Sequence, residues 1–522
     1  MSAIPAGPAS SSRARAVWSV DPRTDERREQ VGTEATPETV DAAVRAAHDA
    51  RPALADRGVR AAFLRTVAEE LEQARAELVA AADAETALGD VRLNGELTRT
   101  CYQLRSFADT VDEGSFLDVI ISHPDADATP PVPDLRRYKI PLGVVAVYAA
   151  SNFPFAFSVA GGDTASAFAA GCPVVVKAHP DHPATSELTA AAVRRAAAAH
   201  KVPEGVLGLV HGFDAGVALV EYPLVAAAGF TGSVRGGRAL FDAAAARPVP
   251  IPFHGELGSL NPVLVTEAAA AERPEEIGAG LAGSMTMGVG QFCVKPGLVL
   301  APAGAAGDRL VTALGQSLGE AGAGVMLDHR MRENFVAGVA ERAQLPEVES
   351  PVRPGPGPDA HTVGPGFLTV PAAALARDGS AHALLLEECF GPVTVVARYT
   401  DAAEAEALLA RLPGNLTATV HVSAPEAAGA EGDPGLLARL TPLAGRVLVN
   451  AWPTGVAVAP AQHHGGPYPA TTSTSTSVGT TAAERWLRPV TYQNTPDALL
   501  PPELRESNPL GLPRVVDGRR EG

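Results

Sequence analysis

Apolar residues recur at spacings of three and four along the early part of the chain, from residue 38 to residue 118. These spacings place side chains on one face of an α-helix, so the region is predicted to be mainly helical. Thr36 directly precedes a Pro-Glu pair and predicts a capped helix start. The apolar positions that carry the pattern are Val40, Val44, Ala47, Phe63, Leu64, Val67 and Leu71.

The pattern changes near residue 140, where short apolar runs begin to alternate with helical stretches. The runs up to residue 266 are GVVAVY, PVVVK, GVLGLVHG and LVAAAGF, with helices predicted at 160–171 and 184–199. A second series, from about 262 to 450, has the runs PVLV, GLVLA, FLTV, VTVVARY, ATVHV and VLVN, with helices predicted at 274–286, 307–322 and 401–412. Strands that alternate with helices predict βαβ units, so we expect an α/β protein with two lobes built on parallel sheets.

The end of the chain has weaker signals. A Ser/Thr-rich tract at 471–481 is followed by a short strand-like segment at 490–493. The last twenty residues are rich in proline, and we expect them to run over the surface.

Composition narrows the class of protein. The 522 residues include 42 basic and 59 acidic side chains, and the net charge of −17 argues against a nucleic-acid-binding body. An apolar content of 46% fits a globular protein with a large core. The four cysteines lie far apart without a CxxC pair, which excludes a disulfide scaffold and a CxxC zinc module. This usage suits a reducing compartment.

One uncharged stretch, from Ile140 to Gly162, resembles a membrane span in composition. It is interrupted by Pro141, Gly143 and Pro154, so a buried strand, a loop and the start of a helix are predicted instead. The first twenty residues have no apolar core of a secretory signal. We therefore expect a cytoplasmic protein without a membrane partner.

Cys293 lies in the sharpest local motif, GVGQFCVKPG at 288–297. The flanking glycines and proline predict a tight loop between a helix and a strand, and Lys295 could favour the thiolate. A nucleophilic thiol and a buried structural cysteine are equally compatible with this motif alone.

Two further loops carry candidate chemistry. Glu256, in HGELGSLNP, could be a general base of raised pKa or a solvated loop glutamate. Asn152 follows a predicted buried strand, where ligands gather in open α/β sheets, and could donate to an oxyanion or serve turn geometry. Lys177 ends the run VVVK. Ser233, after Gly232 in FTGS, could bind a phosphate at a helix N-terminus or act as an ordinary N-cap.

Several tempting matches are discounted. The GxGxxG match at 278–283 and the GxSxG match at 315–319 lie inside helical patterns, so neither predicts its usual site. His179 and His182, and His463 with His464, lack a carboxylate or thiol at ligand spacing, so no metal site is expected.

In this order, the motifs SNFPF, VVVK, FTGS, GELGSLNP, GQFCVKPG and EECFGPV resemble the aldehyde dehydrogenase superfamily. The segments around SNFPF and GQFCVKPG, together with HGGPYPATTSTSTSVGT, look most like its α-ketoglutaric semialdehyde (2,5-dioxovalerate) dehydrogenase branch. The NADP-dependent fatty aldehyde dehydrogenases of luminous bacteria are close to that branch.

The resemblance implies roles for individual residues. Cys293 would be the nucleophile, Glu256 the base, and Asn152 with the Cys293 backbone N–H the oxyanion hole. Among the implied cofactor-binding residues, Lys177 would hold the adenosine ribose and Ser233, next to Gly232, would touch the pyrophosphate. Glu388 would bind the nicotinamide ribose, Phe390 would pack beside that ring, and His179 would lie near the adenosine ribose. Pro180 stands where many members have a glutamate that repels a 2′-phosphate. NADP or NAD is therefore expected, with His179 as a helper and no dedicated arginine in view.

The resemblance also implies an organisation and a reaction. A Rossmann-type NAD(P)-binding domain would span 1–118 and 142–255, a catalytic domain 256–450, an oligomerisation arm 119–141 and 484–496, and a surface tail 497–522. A homodimer or homotetramer would oxidise a small-molecule aldehyde to an acid through a thiohemiacetal and a thioester. α-Ketoglutaric semialdehyde is the first expectation and a medium or long aliphatic aldehyde the second. Transfer to coenzyme A, a thiol hydrolase and a non-catalytic relative remain as alternatives.

Overall fold

The computed structural model describes residues 15–377, 379 and 381–521. The prediction about a secretory signal at the start of the chain falls largely on residues 1–14, outside this part. The helices are α1 (Pro37–Ala50), α2 (Arg57–Gln73), α3 (Arg75–Thr86), α4 (Asp90–Glu113), α5 (Gly162–Ala170), α6 (Pro183–Ala199), α7 (Phe213–Glu221), α8 (Val234–Ala246), α9 (Glu267–Glu272), α10 (Pro274–Thr286), α11 (Ala305–Glu320), α12 (His329–Arg342), α13 (Ala372–Leu375), α14 (Ala402–Leu409), α15 (Ala424–Ala427) and α16 (Leu436–Leu440).

The strands alternate with these helices over much of the chain. They are β1 (Ala16–Asp21), β2 (Glu26–Thr33), β3 (Val119–Ser122), β4 (Leu135–Pro141), β5 (Val144–Tyr148), β6 (Val174–Lys177), β7 (Leu207–Val210), β8 (Val225–Thr231), β9 (Phe253–Glu256), β10 (Val263–Val265), β11 (Leu298–Pro302), β12 (Gly324–Val325), β13 (Glu349–Val352), β14 (Gly355–Pro356), β15 (Thr362–Gly364), β16 (Gly366–Pro371), β17 (Val393–Tyr399), β18 (Asn415–His421), β19 (Ala444–Val449), β20 (Leu487–Gln493), β21 (Arg514–Val516) and β22 (Arg519–Glu521).

The first lobe is built on a five-stranded parallel sheet of order β7-β6-β5-β8-β9. Its central strands are Val- and Ala-rich and buried along their whole length, as expected for strands covered by helices on both faces. Helices α1, α2, α4 and α6 contribute buried apolar faces. The predicted cap is present, because the Thr36 side chain accepts a hydrogen bond from the Thr39 backbone.

The second lobe is built on a seven-stranded sheet of order β13-β16-β17-β11-β10-β18-β19. All neighbours in it are parallel except the edge strand β13. The predicted α/β architecture with two lobes is therefore confirmed. The discounted motifs lie inside α10 and α11, as predicted. The hairpin β1–β2 and the small sheet β12-β15-β14 had no sequence prediction.

A third large sheet has the strand order β20-β4-β3-β21-β22. It joins the two predicted arm segments, since β3 and β4 pair with each other and β20 pairs with β4. The structure differs from the expectation of a surface tail at 497–522. Strand β21 pairs with β3, and three leucines of this segment are buried in a cluster with Phe116 and Leu117: Leu500, Leu504 and Leu512.

The structure gives the positions of two segments whose boundaries were predicted from the sequence. Glu256 is the last residue of β9, so the expected division between residues 255 and 256 falls inside a strand of the first lobe. The uncharged stretch 140–162 contains β5 and reaches only the first residue of α5. Within the described residues, no helix is both long and apolar enough to cross a membrane.

Candidate active site

A cavity of about 540 Å³ lies between the carboxyl ends of the first lobe's strands and the second lobe. Ligands are expected at this edge in open α/β sheets. Eight of the nine predicted site residues line it: Asn152, His179, Gly232, Ser233, Glu256, Cys293, Glu388 and Phe390. Among the described residues, the ninth, Lys177, lies behind this lining, with its amine 4.8 Å from the centroid of the Phe213 ring that faces the cavity.

The Cys293 loop follows α10 through an unusual backbone turn. Gly288, Val289 and Gly290 all have left-handed φ values of 56°, 59° and 66°. This conformation is costly for β-branched Val289 and is typical of functional loops. At Gly290 it permits close approach of the backbone at Gly391, where a side chain would clash. The loop at Gly290 and the loop at Gly391 are therefore in close backbone contact near Cys293.

Asn261 fixes the other side of the Cys293 loop. Its side-chain amide donates to the carbonyls of Cys293, at 2.8 Å, and Lys295, at 3.0 Å. Its side-chain oxygen accepts from the backbone and hydroxyl of Thr417. Because Asn261 is fully buried, these bonds anchor the loop to strand β18.

Three reactive side chains meet at the inner end of the cavity. His464 Nε2 lies 3.7 Å from Cys293 Sγ and 2.8 Å from Glu256 Oε1. The second oxygen of Glu256 accepts from the Ser477 hydroxyl at 2.9 Å. The prediction that His464 lacks a thiol or carboxylate partner is therefore wrong. Sequence spacing could not reveal it, because 171 and 208 residues separate His464 from its partners.

The pKa values of Cys293 and Glu256 are shifted in opposite directions. Burial and the Glu256 carboxylate raise the pKa of the Cys293 thiol well above its ordinary value. Burial alone would raise the pKa of Glu256 as well, but the charge and hydrogen bond of His464, with the bonds from Ser477 and Cys293, lower it below its ordinary value. The resting thiol is thus protonated beside an ionised carboxylate, and a proton acceptor stands ready.

The ligand atoms of Glu256, Cys293 and His464 lie within 4.8 Å of one another. Thiolate, imidazole and carboxylate are ligands that suit a zinc ion. The expectation that the site uses no metal stays a prediction.

Asn152 occupies the loop after β5 and lines the same cavity as Cys293. Its side-chain amide donates to the Gln291 carbonyl at 2.9 Å, which orients the amide beside the Cys293 loop. Its own carbonyl accepts from Arg92 at 2.5 Å. The Arg92 guanidinium is held between the Phe153 and Phe292 rings, at 5.1 and 4.6 Å from their centroids.

Lys295 does not approach the thiol in the way the motif suggested. Its buried amine donates to the carbonyls of Val393, at 2.6 Å, and Cys389, at 3.2 Å. Burial lowers the pKa of Lys295. The interpretation that Lys295 favours the Cys293 thiolate is therefore corrected: it fastens the segment that carries Glu388 and Phe390.

The outer part of the cavity has the features of a dinucleotide site. Ser233 caps α8, accepting from the Gly236 backbone at 3.2 Å, and the helix N-terminus opens on the cavity beside Gly232. Burial raises the pKa of Glu388 to about 7 and lowers that of Lys177 to about 8 and that of His179 to about 3. His179 is thus neutral, a hydrogen-bonding group rather than a cation.

An arginine that the sequence did not suggest also faces this part of the cavity. Arg330, on α12, bonds Asp328 at 2.8 Å and lies 3.5 Å from Asp181. Its guanidinium is 5.9 Å from the centroid of the Phe213 ring. No local motif marks it, since it reaches the first lobe from the second.

Comparison with known proteins agrees with this geometry. The profile of the aldehyde dehydrogenase family matches residues 9–468. The chain is 48% identical over 474 residues to alpha-ketoglutaric semialdehyde dehydrogenase 2 of Azospirillum brasilense, covering 88% of this chain and 87% of the relative. It is 42% identical over 501 residues to alpha-ketoglutaric semialdehyde dehydrogenase of Acinetobacter baylyi, covering 93% and 92%.

Solved structures show the same fold at lower identity. A 3,6-anhydro-L-galactose dehydrogenase superposes with a TM-score of 0.77 at 22% identity, over 93% of this chain and 97% of that one. A gamma-glutamyl-gamma-aminobutyraldehyde dehydrogenase from Burkholderia cenocepacia gives 0.77 at 22%, over 92% and 93%. The predicted resemblance is confirmed: this chain belongs to the aldehyde dehydrogenase family and is an NAD(P)-dependent oxidoreductase that acts on aldehydes.

Proposed function

We propose that the chain oxidises α-ketoglutaric semialdehyde to 2-oxoglutarate, with Cys293 as the nucleophile. The observation that carries the mechanism is the meeting of Cys293 Sγ, His464 Nε2 and Glu256 Oε1 at the inner end of the cavity. The substrate assignment rests on the names of the relatives at 48% and 42% identity.

The first step forms the bond between sulfur and the aldehyde carbon. The Glu256–His464 pair takes up the thiol proton as Sγ attacks, because both groups lie within reach of the sulfur. The carbonyl oxygen becomes an oxyanion, which the Asn152 side-chain amide and the Cys293 backbone N–H stabilise. Collapse of this oxyanion expels a hydride and leaves a thioester on Cys293.

The second step releases the acid. After the thiol proton has left to solvent, the Glu256–His464 pair takes a proton from a water, whose oxygen attacks the thioester carbon. The tetrahedral adduct expels the Cys293 thiolate, which takes that proton back and restores the thiol. Ser477 holds the second carboxylate oxygen, so Glu256 stays aimed at the sulfur.

The cavity residues fit a dinucleotide. The α8 N-terminus beside Gly232 and Ser233 suits a pyrophosphate, and Glu388 suits a ribose hydroxyl. When bound, the nicotinamide supplies the hydride acceptor. We propose that NADP and NAD both bind, because Pro180 brings no carboxylate to this region; Lys177 and His179 would face the adenosine ribose.

We also propose an oligomer, a homodimer or homotetramer, assembled through the sheet β20-β4-β3, in the cytoplasm. Strand β20 is an edge strand of this sheet, and an exposed edge offers unpaired backbone groups to another chain. The domain division would follow the two lobes and this arm.

The test is the initial rate of absorbance increase at 340 nm with α-ketoglutaric semialdehyde and each cofactor in turn. We expect reduction that disappears in Cys293→Ala. Reduction with a medium or long aliphatic aldehyde alone would overturn the substrate, and hydrolysis of a thioester or ester without any reduction would favour a thiol hydrolase.

A further inference from the structure

One face of helix α4 is directed at the active site. Arg92, Glu96 and Arg99 lie four and then three positions apart, so they share this face. Glu96 is buried, and its Oε1 accepts from the backbone of Phe155 at 2.8 Å and Ala156 at 2.9 Å. The face is therefore fixed against the loop that carries Asn152.

Arg99 places a positive charge close to the reacting sulfur. Its guanidinium is 5.5 Å from the centroid of the Phe157 ring, and that ring lies 6.2 Å from the His464 imidazole. Its Nη2 makes a long bond of 3.4 Å to the carbonyl of Val456, a residue that packs on the same apolar cluster as Cys293.

The Arg99 guanidinium lacks a full set of hydrogen-bond partners. The Glu96 carboxylate on the same face is the main charge that favours it, but its buried Nη1 has no hydrogen-bond partner within the described part of the chain. An unpaired buried guanidinium N–H is costly unless a ligand completes it. Arg92 Nη1 is also buried without a partner, but the Arg92 guanidinium lies between two aromatic rings and bonds the Asn152 carbonyl at 2.5 Å.

Arg99 also lies on a separate approach to Cys293. Cys293 lines the dinucleotide-sized cavity, whereas Arg99 and Phe157 are not among the described residues that line it. A substrate must reach Sγ without displacing the cofactor. On the Arg99 side, Cys293 is bordered by His464 and Val456, with the Phe157 ring and the Arg99 guanidinium behind them.

We propose that Arg99 binds the terminal carboxylate of the substrate and thereby selects aldehydes that carry a carboxylate over aliphatic aldehydes. This inference rests on the proposed function and gives it a recognition residue. A guanidinium can hold a carboxylate through two parallel hydrogen bonds, and the buried, unpartnered Nη1 of Arg99 would supply one of them. The aldehyde carbon at the other end of a short chain would then face Sγ.

The experiment compares α-ketoglutaric semialdehyde with pentanal, which has the same number of carbons but no carboxylate. We expect Arg99→Met to lower kcat/KM for the semialdehyde about 10- to 100-fold, the loss typical of a charge-assisted hydrogen bond. The loss should lie mainly in KM, because this contact exists in ground and transition states alike. The rate with pentanal should stay within about threefold, and Arg99→Lys should fall between Met and the parent.

Arg105→Met is the matched control, since Arg105 lies on the same helix but pairs with Glu72 on the outer face. It should leave both substrates unaffected. If Arg99→Met does not fold, Arg99→Lys decides by the same KM comparison. Equal losses with both substrates would show that Arg99 only supports the structure and would overturn the inference. A parent enzyme that oxidises pentanal but not the semialdehyde would instead refute the proposed function itself.

Discussion

Replacing His464 with glutamine tests the centre of the mechanism. The amide keeps a hydrogen-bond donor near Glu256 Oε1, which lies 2.8 Å from the imidazole, but it carries no charge and so no longer holds down the pKa of the Glu256 carboxylate, the proton acceptor. The charge of His464 is the largest of the effects that oppose burial at Glu256. Without it, the pKa of Glu256 rises relative to the parent, because burial is then opposed mainly by the hydrogen bonds from Ser477 and Cys293.

The size of the effect follows from these roles. A positioned base contributes about 10²- to 10⁴-fold to a rate, which corresponds to about 2.7–5.5 kcal/mol at 1.36 kcal/mol per tenfold. We expect His464→Gln to lower kcat/KM by about 10²-fold or more. Since a carboxylate of raised pKa needs a higher pH to ionise, the acidic limb of the pH–rate profile should move to higher pH.

The assay has two readouts. Reduction at 340 nm across pH gives the profile, and alkylation of Cys293 by iodoacetamide across pH gives the thiolate population in the absence of substrate. His463→Gln is the control, because the neighbouring imidazole is half-buried and forms no hydrogen bond with Cys293 or Glu256. An His464→Gln enzyme within threefold of the parent at every pH, with unchanged alkylation, would refute the reasoning.

Three other substitutions have defined outcomes. Lys295→Met leaves the Val393 and Cys389 carbonyls without their hydrogen-bond donor. It should lower the free energy of unfolding by about 2–4 kcal/mol in a denaturant titration and raise the KM for the cofactor. An unchanged denaturation midpoint would contradict this prediction. Glu388→Gln should stabilise the apo-protein relative to the parent at pH 8 but not at pH 4.5. Because the pKa of Glu388 is raised from 4.5 to about 7, ionising this carboxyl costs the folded parent up to about 3 kcal/mol of stability as the pH rises through this range. Melting curves of parent and variant at pH 4.5 and pH 8 measure whether the stability difference has this sign. Asn152→Ala should lower kcat about 10²- to 10³-fold at an unchanged Kd for the cofactor, and a loss in cofactor binding alone would argue against an oxyanion role.

Local patterns were sufficient for the two lobes. Runs such as GVVAVY and PVVVK carry apolar β-branched residues bounded by turn residues, and they form β5 and β6 as predicted. The C-terminal strands were missed because their apolar content is low and their order is set by pairing with β3. A signal was present in Asp517-Gly518, which forms the turn between β21 and β22 with left-handed φ values of 48° and 76°.

For the candidate site too, residues in local motifs could be predicted from the sequence and residues defined by distant contacts could not. Cys293, Glu256 and Asn152 stand in short motifs whose residue types can be interpreted locally. His464, Arg99 and Arg330 have no such motif, because each acts through contacts with parts of the chain more than 100 residues away. The role of Lys295 was misjudged for the same reason: its sequence neighbour is Cys293, but its amine bonds carbonyls on a different loop.

The order of these residues along the chain has a consequence for synthesis on the ribosome. Cys293 leaves the exit tunnel long before His464 and Ser477, which belong to the segment between β19 and β20. Until that late segment docks, the thiol lacks the imidazole that completes its surroundings, and Glu256 lacks two of its hydrogen bonds. The nascent chain therefore carries a cysteine that is not yet part of a catalytic group, and this group is complete only when the chain is nearly finished.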